Sequence, residues 1–532
     1  MANSSAPQAP TIKKAAKMGV FTLVVMNIVA VVSLRGLPAE AEYGISSAFY
    51  YLFAALVFLI PVSLVAAELA ALFPYQQGGM FRWIGEAFGE KLGFLGIWLQ
   101  WIESTIWYPT VLTFGAVSLA YIGMDHMYDS TLASNKYYTI AAVLAIYWLA
   151  TIISLKGMGW VGKVSKVGGI VGTIVPVGIL IVCAVIYLAT GGQSQMDWHG
   201  SFIPDFSKFD NVILAASIFL FYAGMEMSGV HVRDIKNPTV NYPKAVFIGA
   251  ICTVLIFILG TYALGVIIPT KDINLVQSLL VGFDNYFKVF HINWASPIIA
   301  IALAFGVLAG VLTWVAGPSK GIFAVGRAGF LPPFFQKTNK AGVQKNILYV
   351  QGGCVTFLAF IMVLMPSVES FYQILSQLTV VLYLIAYLLM FAAAIYLRYS
   401  MKNAKRPYRI GKTGNGRMWL IGGLGFAGSL LAFVLSFFPP GQIPMGSPAV
   451  WFAVLIGGTL LFVILPFIIQ HFRKPSWRQA DSGFVPFHWD NSPGAQEAIA
   501  KAAAEFEAEQ AAEAKALAAE NAAKAAAKAN HN

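Results

Sequence analysis

Charge is what this sequence most lacks. Of its 532 residues only 11% are Asp, Glu, Lys or Arg, against roughly a quarter in an ordinary soluble domain, while 58% are hydrophobic and the mean hydropathy is +0.69. A soluble core cannot absorb that much apolar surface. Cysteine is scarce as well: Cys183, Cys252 and Cys354 fall in apolar stretches with no paired or metal-like spacing, and read as small buried hydrophobes. The seven histidines lie in loops, tails or at the ends of apolar runs, so the clustered ligands of an intramembrane metalloenzyme are not there. No catalytic constellation, metal site or cofactor is called for, and the chain does not read as an enzyme. Met1 to Pro10 is polar and rich in small residues, with no short apolar run or A-x-A-like site, and no cleaved signal is expected.

Long apolar runs are present instead. Stretches such as Ala48 to Phe73, Val246 to Ile268 and Val380 to Tyr396 approach or exceed the roughly 18 to 20 residues that cross a hydrocarbon layer of about 30 Å. Spans are predicted near 18–43, 47–73, 93–122, 137–155, 167–190, 209–231, 245–268, 294–316, 346–365, 371–397, 418–437 and 449–470. The fold class is therefore all-α integral membrane, with about twelve transmembrane helices. With the N-terminus inside, the inward loops hold 26 Lys and Arg while the outward loops hold four, Lys136, Lys208, Lys271 and Lys288. Basic residues near span ends resist translocation, so this asymmetry sets the orientation. It predicts a multi-pass protein of the cell inner (cytoplasmic) membrane with both termini cytoplasmic. The +11 net charge is then a signature of orientation, and no nucleic acid is needed to explain it.

The spans organise the chain into a cytoplasmic segment 1–16, a ten-helix core 17–397, a basic cytoplasmic loop 398–417, two further spans in 418–471 and a cytoplasmic tail 472–532. The basic loop suits anionic lipid head groups. Asp272 to His291 reads as an outward amphipathic helix, with Leu275, Leu279, Leu280 and Phe283 at helical spacing. The tail from Ala495 to Asn530 is mostly alanine with interspersed Glu and Lys. Its composition favours helix, but no apolar stripe gives it a packing face, so it is expected to be helical or disordered.

Two spans carry interruptions, which a bilayer tolerates only inside the protein or beside water. The first runs apolar from Met18 to Val32 and then reads Ser33, Leu34, Arg35, Gly36, Leu37, Pro38, where glycine is entropically costly and proline cannot donate to the helical ladder. The sixth reads Phe221, Tyr222, Ala223, Gly224, Met225, Glu226 and on to Gly229. First and sixth spans are corresponding members of a five-plus-five arrangement, and paired interrupted segments of that kind point to a midplane binding site. Unwinding exposes N–H groups that favour a carboxylate and carbonyls that favour an ammonium. An amino acid has one of each. Small residues such as Gly36 and Gly224 can also serve close helix packing alone, but packing does not account for the adjoining charges.

Each ionised group at the bilayer centre costs about 2.5 to 3.5 kcal/mol on insertion scales, so each needs a partner or a water-filled cavity. Arg35 and Glu226 lie at the breaks, and either pair with one another or receive the charged ends of a substrate. Glu68 and Glu103 read as structural, and Glu40 and Glu42 as facing an outer vestibule.

Several motifs are specific enough to carry a resemblance. They include Gly224-Met225-Glu226 through His231-Val232 to Asn237-Pro238 and Tyr242-Pro243, and Gly317-Pro318-Ser319-Lys320-Gly321 through Leu331-Pro332 to Asn339–Val343. Ile60-Pro61-Val62 with Ala66-Ala67-Glu68, Gly78-Gly79, Pro204 to Lys208, Tyr383 with Tyr387, and Ser436 to Pro440 add to them. Over about residues 15 to 475 the chain resembles the amino acid/polyamine/organocation superfamily, and within it the glutamate/GABA antiporters. The resemblance implies a five-plus-five inverted repeat with two extra C-terminal helices, alternating access, and exchange of an amino acid for a related amine. It also implies a substrate path around Glu226, Trp314, Tyr383 and Tyr387, although tyrosines at helical spacing commonly just pack. Three departures stand out. Gly310 occupies the eighth-span position where those antiporters carry an acidic residue, Arg35 is outside their first-span pattern, and the tail lacks their basic plug-like ending.

The sequence thus predicts a secondary-active antiporter that exchanges an amino acid, glutamate-like or otherwise zwitterionic, for a related amine. It is expected to be monomeric or homodimeric, and its partners are a small amino acid or amine and the lipid bilayer. A proton-coupled amino acid or amine permease and a non-transporting nutrient sensor are the alternatives. The candidate substrate-binding residues are Ser33, Leu34, Arg35, Gly36 and Leu37 at one break, Tyr222, Ala223, Gly224, Met225 and Glu226 at the other, and Trp314, Tyr383 and Tyr387.

Overall fold

A computed structural model describes residues 18–74, 79–123, 125–207, 213, 217–226, 235–411, 413–438 and 448–529. The expected N-terminal segment 1–16, most of the sixth span, and the motif residues Gly78, Lys208, Met227 to Gly229, His231-Val232 and Pro439-Pro440 lie outside these residues.

The described chain is helical, and its one β-bridge, between Met18 and Ile235, is isolated. Helices α1 (Val20–Val31) and α2 (Leu37–Ala41) flank the first break. After them come α3 (Gly44–Leu72), the short α4 (Met80–Phe88), α5 (Glu90–Ala120), α6 (Lys136–Leu155) and α7 (Gly159–Ala189). The second half holds α8 (Ser217–Tyr222), α9 (Val240–Ile267), α10 (Ser278–Val289), α11 (Ser296–Val325), α12 (Lys345–Ile361) and α13 (Val368–Ser400). The chain continues through α14 (Gly416–Leu435) and α15 (Ala449–His471) to α16 (Ala495–Ala529).

Among the described residues, nine helices are long and apolar enough to cross a membrane. They correspond to nine of the twelve spans the sequence predicts; the first, third and sixth are the other three. The first is interrupted, so no single piece is long enough, and most of the sixth lies outside the described residues. The third, α5, has 31 residues, about 46 Å at 1.5 Å per residue, and is less apolar because Gln100, Glu103, Ser104, Thr105 and Thr110 are turned inward and buried. That polar stripe faces protein rather than lipid. Helix α5 packs most extensively on α13 and α11, which places its stripe at the centre of the molecule. The amphipathic helix expected over 272–291 is present as α10, with Leu279, Leu280 and Phe283 buried.

Two polar clusters fasten the ends of the bundle. Glu68, on α3, accepts both arms of Arg398 at 2.6 Å and the Ile410 amide at 2.8 Å, which ties the basic loop to the bundle. The segment before α16 is held as firmly. Arg82 of α4 donates to the carbonyls of Val485 and Pro486 at 2.6 Å each, with its guanidinium 4.7 Å from the Phe487 ring. Glu86 accepts the His488 amide at 3.0 Å, the Trp489 indole donates to the Gly85 carbonyl at 2.8 Å, and Arg327 pairs with Asp481 at 2.7 Å. Arg327 beside Asp481 holds that carboxyl below the usual carboxylate range. Beyond this strap the alanine-rich tail is a helix, with Ala495 and Ile499 buried at its start.

Candidate substrate site

The first break begins where α1 ends at Val31. Val32 and Ser33 are extended, Leu34 to Gly36 make one 3₁₀ turn, and α2 starts with Pro38 in its first turn. The proline thus sits where its missing N–H has no helical acceptor to lose. The interruption itself falls at Val32-Ser33, ahead of the glycine and proline. Gly36 is there for close approach, since a Cβ would lie 2.7 Å from the Phe221 ring. At the second break α8 ends at Tyr222, Ala223 and Gly224 form a turn, and Met225 and Glu226 begin a short helical turn. Gly224 has φ +110°, a conformation L side chains rarely adopt, and a Cβ there would also meet Trp314 at 2.8 Å.

The two charges at the breaks do not pair with each other. Arg35, 2% exposed, donates to Tyr372 Oη at 2.9 Å and to Thr110 Oγ1 at 3.4 Å. Its guanidinium lies 5.3 to 5.8 Å from the ring centroids of Tyr372, Phe221 and Trp107. Among the described residues its Nε has no hydrogen-bond partner and its guanidinium forms no ion pair with a carboxylate. Aromatic faces steady a desolvated guanidinium through their quadrupoles but supply no counter-charge.

Glu226, 1% exposed, is instead wrapped by neutral donors. Tyr383 and Gln100 donate to Oε1, the latter at 3.2 Å, and Tyr387 donates to Oε2 at 2.6 Å. Tyr387 also accepts the Gly224 amide at 2.9 Å, so it satisfies a backbone group freed by the break. Tyr383 and Tyr387 stack at 4.6 Å, and Tyr383 meets Trp314 edge-on at 6.3 Å. These tyrosines therefore do more than pack.

A cavity of about 30 Å³ opens between the breaks, lined in part by Ser33, Arg35, Glu103, Trp107, Phe221 and Trp314. Ala223 and Tyr383 also line it. Such a volume admits a water or two, so entry of an amino acid requires these walls to move. A second cavity, of about 40 Å³, shares Ser33, Trp107 and Trp314 with the first and includes Leu34. Of the residues predicted from sequence, Ser33, Leu34, Arg35, Ala223, Trp314 and Tyr383 line these cavities. Gly36, Leu37, Tyr222, Gly224, Met225, Glu226 and Tyr387 stand behind them and shape the breaks: Leu37 packs at Gly260, and Tyr222 donates to the Tyr51 carbonyl at 3.2 Å.

The candidates predicted from sequence leave out Trp107 and Tyr372, and Phe221 is named there at the second break but not as a site residue; Glu103, read as structural, lines the cavity. Glu103 is 2% exposed, and its Oε1 has no hydrogen-bond partner among the described residues. A usable signal existed: Gln100, Glu103, Trp107, Thr110 and Phe114 recur at steps of three or four along one face of α5. That periodicity marks a stripe aimed at the breaks.

Interrupted helices around a charged, membrane-embedded cavity define a solute carrier as the class of protein. The sequence matches the amino acid permease family over residues 18–461. It is 39% identical to an uncharacterized transporter of Legionella pneumophila over 85% of this chain and 96% of that protein. It is 31% identical to a glutamate/gamma-aminobutyrate antiporter of Lactococcus lactis over 86% of this chain and 90% of that one. A probable agmatine/putrescine antiporter of Lactococcus lactis is 23% identical over 74% of this chain and 82% of its own length. The chain belongs to the amino acid permease family of the amino acid/polyamine/organocation superfamily. It is a multi-pass membrane transporter and not an enzyme.

Proposed function

We propose that the protein is a secondary-active antiporter that exchanges an amino acid for a related amine by alternating access. Its twelve spans form a five-plus-five inverted repeat followed by two helices, in the inner membrane with both termini in the cytoplasm. The observation that carries the reading is Arg35, a buried guanidinium at a helix break that makes no ion pair with a carboxylate among the described residues. A charge held at that depth without an ion-pair partner is costly, and a substrate carboxylate supplies a counter-charge. Glu103 on the same cavity offers the opposite charge for an ammonium group. The relatives named as antiporters support exchange, and the 26 to 4 distribution of basic residues supports the orientation.

Purified protein in liposomes tests this directly. Labelled amino acid should enter vesicles preloaded with a counter-substrate and stay out of empty ones. Equal uptake into empty vesicles would make the protein a uniporter or proton symporter, and absence of any flux alongside measurable binding would make it a sensor.

A further inference from the structure

The two cavities at the breaks differ in chemistry. The first carries Arg35 and Glu103, whereas no ionisable side chain among the described residues lines the second. That second cavity extends between α5, α7 and α11, with Val111, Phe114, Leu303 and Val307 as its apolar walls. Gly310 also lines it, and a Cβ built there would meet nothing within 4 Å. Packing therefore does not demand glycine at 310. Its effect is to leave volume open.

We propose that the second cavity receives the side chain of the transported solute, and that the substrate is an α-amino acid with an apolar side chain, its carboxylate on Arg35 and its ammonium on Glu103. The proposal rests on the preceding assignment of amino acid transport to this site. The α-carboxyl and α-amino groups share one carbon, so their partners must share one cavity, as Arg35 and Glu103 do. The side chain leaves the same carbon and passes between Ser33, Trp107 and Trp314, the walls common to both cavities. Of the two central carboxylates, Glu226 has both oxygens engaged by Tyr383, Gln100 and Tyr387, while Glu103 Oε1 is buried with no hydrogen-bond partner. Glu103 is thus the acid positioned to receive an ammonium. A carboxylate or ammonium on the substrate's side chain would be desolvated in the second cavity without a counter-charge, which excludes acidic and basic amino acids. Apolar side chains gain instead, by about tenfold or more per methylene that finds a void to fill.

The test is homoexchange by the full chain in liposomes, comparing labelled leucine, phenylalanine, alanine, glutamate and lysine, each against vesicles preloaded with the same compound. Leucine or phenylalanine should exchange at least about tenfold faster than glutamate and lysine. Glutamate or lysine exchanging as fast as leucine would overturn the assignment of an apolar substrate while leaving amino acid antiport intact. No exchange of any amino acid would overturn the transport reading and this inference with it. Gly310→Leu, which enters open space, should lower the leucine-to-alanine exchange ratio about tenfold. An unchanged ratio in a folded variant would show that the side chain lies elsewhere, and the unmodified protein decides the apolar preference should the variant not fold.

Discussion

The Tyr387 hydroxyl donates to Glu226 Oε2 at 2.6 Å while accepting the Gly224 amide at 2.9 Å. One side chain on α13 thus satisfies both an orphaned backbone donor at the sixth-span break and a carboxylate buried two residues later. Inside a bilayer such groups must be satisfied by the protein itself or by a water-lined cavity.

Tyr387→Phe removes the hydroxyl and little else. The Gly224 amide and one Glu226 oxygen then lose a partner, and a buried polar group left unsatisfied costs about 1 to 3 kcal/mol. We expect a lower melting temperature in detergent together with slower exchange. An unchanged melting temperature would mean that the break does not depend on this bridge.

The pairing of Glu68 with Arg398 predicts a larger effect. Glu68→Ala strips the bidentate partner from a buried guanidinium and an acceptor from the Ile410 amide. Removing one member of a buried pair destabilises by about 3 to 5 kcal/mol, because the remaining charge is uncompensated. Replacing both residues by apolar ones of similar volume should recover much of that loss. Denaturation of the single and double variants in detergent measures the difference.

Much of the architecture was legible in the sequence because lipid imposes simple rules. Nine apolar helices of sufficient length follow from hydropathy alone, and α10 from the spacing of Leu279, Leu280 and Phe283. The breaks were legible from glycine and proline next to charge, though the first interruption, expected over Ser33 to Pro38, begins one residue earlier at Val32. Partners were not legible. Nothing local to Arg35 announces Tyr372, 337 residues away, and Glu226 could equally have faced Arg35. The docked strap was missed for a related reason: residues 475–489 contain no long apolar run, and their binding to α4 depends on Arg82 reaching two carbonyls. The stripe on α5 was readable by periodicity, but hydropathy averages hide a polar face turned inward.

The strap itself yields a prediction. Phe487 is buried, faces the Arg82 guanidinium, and fills the space that a Cβ on Gly85 would occupy. Phe487→Ala forfeits that packing, worth about 3 to 5 kcal/mol for a large aromatic in a core, and should release the segment locally. Limited proteolysis should then cleave between residues 475 and 494 at protease levels that leave the unmodified protein whole. Equal resistance in both proteins would show that the backbone contacts to Arg82 suffice to hold the strap.

The central claim is that a substrate carboxylate lands on Arg35, and the most direct measurement compares an amino acid with its own decarboxylated amine in the Arg35→Ala variant. Charge-assisted hydrogen bonds are worth about 1.5 to 3 kcal/mol, or roughly ten- to over a hundredfold in rate. Exchange of the amino acid should therefore fall by at least about tenfold more than exchange of the amine, which has no carboxylate to lose. If both fall by the same factor in a folded, membrane-inserted variant, or if neither falls, Arg35 is a structural cation and the account of the site is wrong.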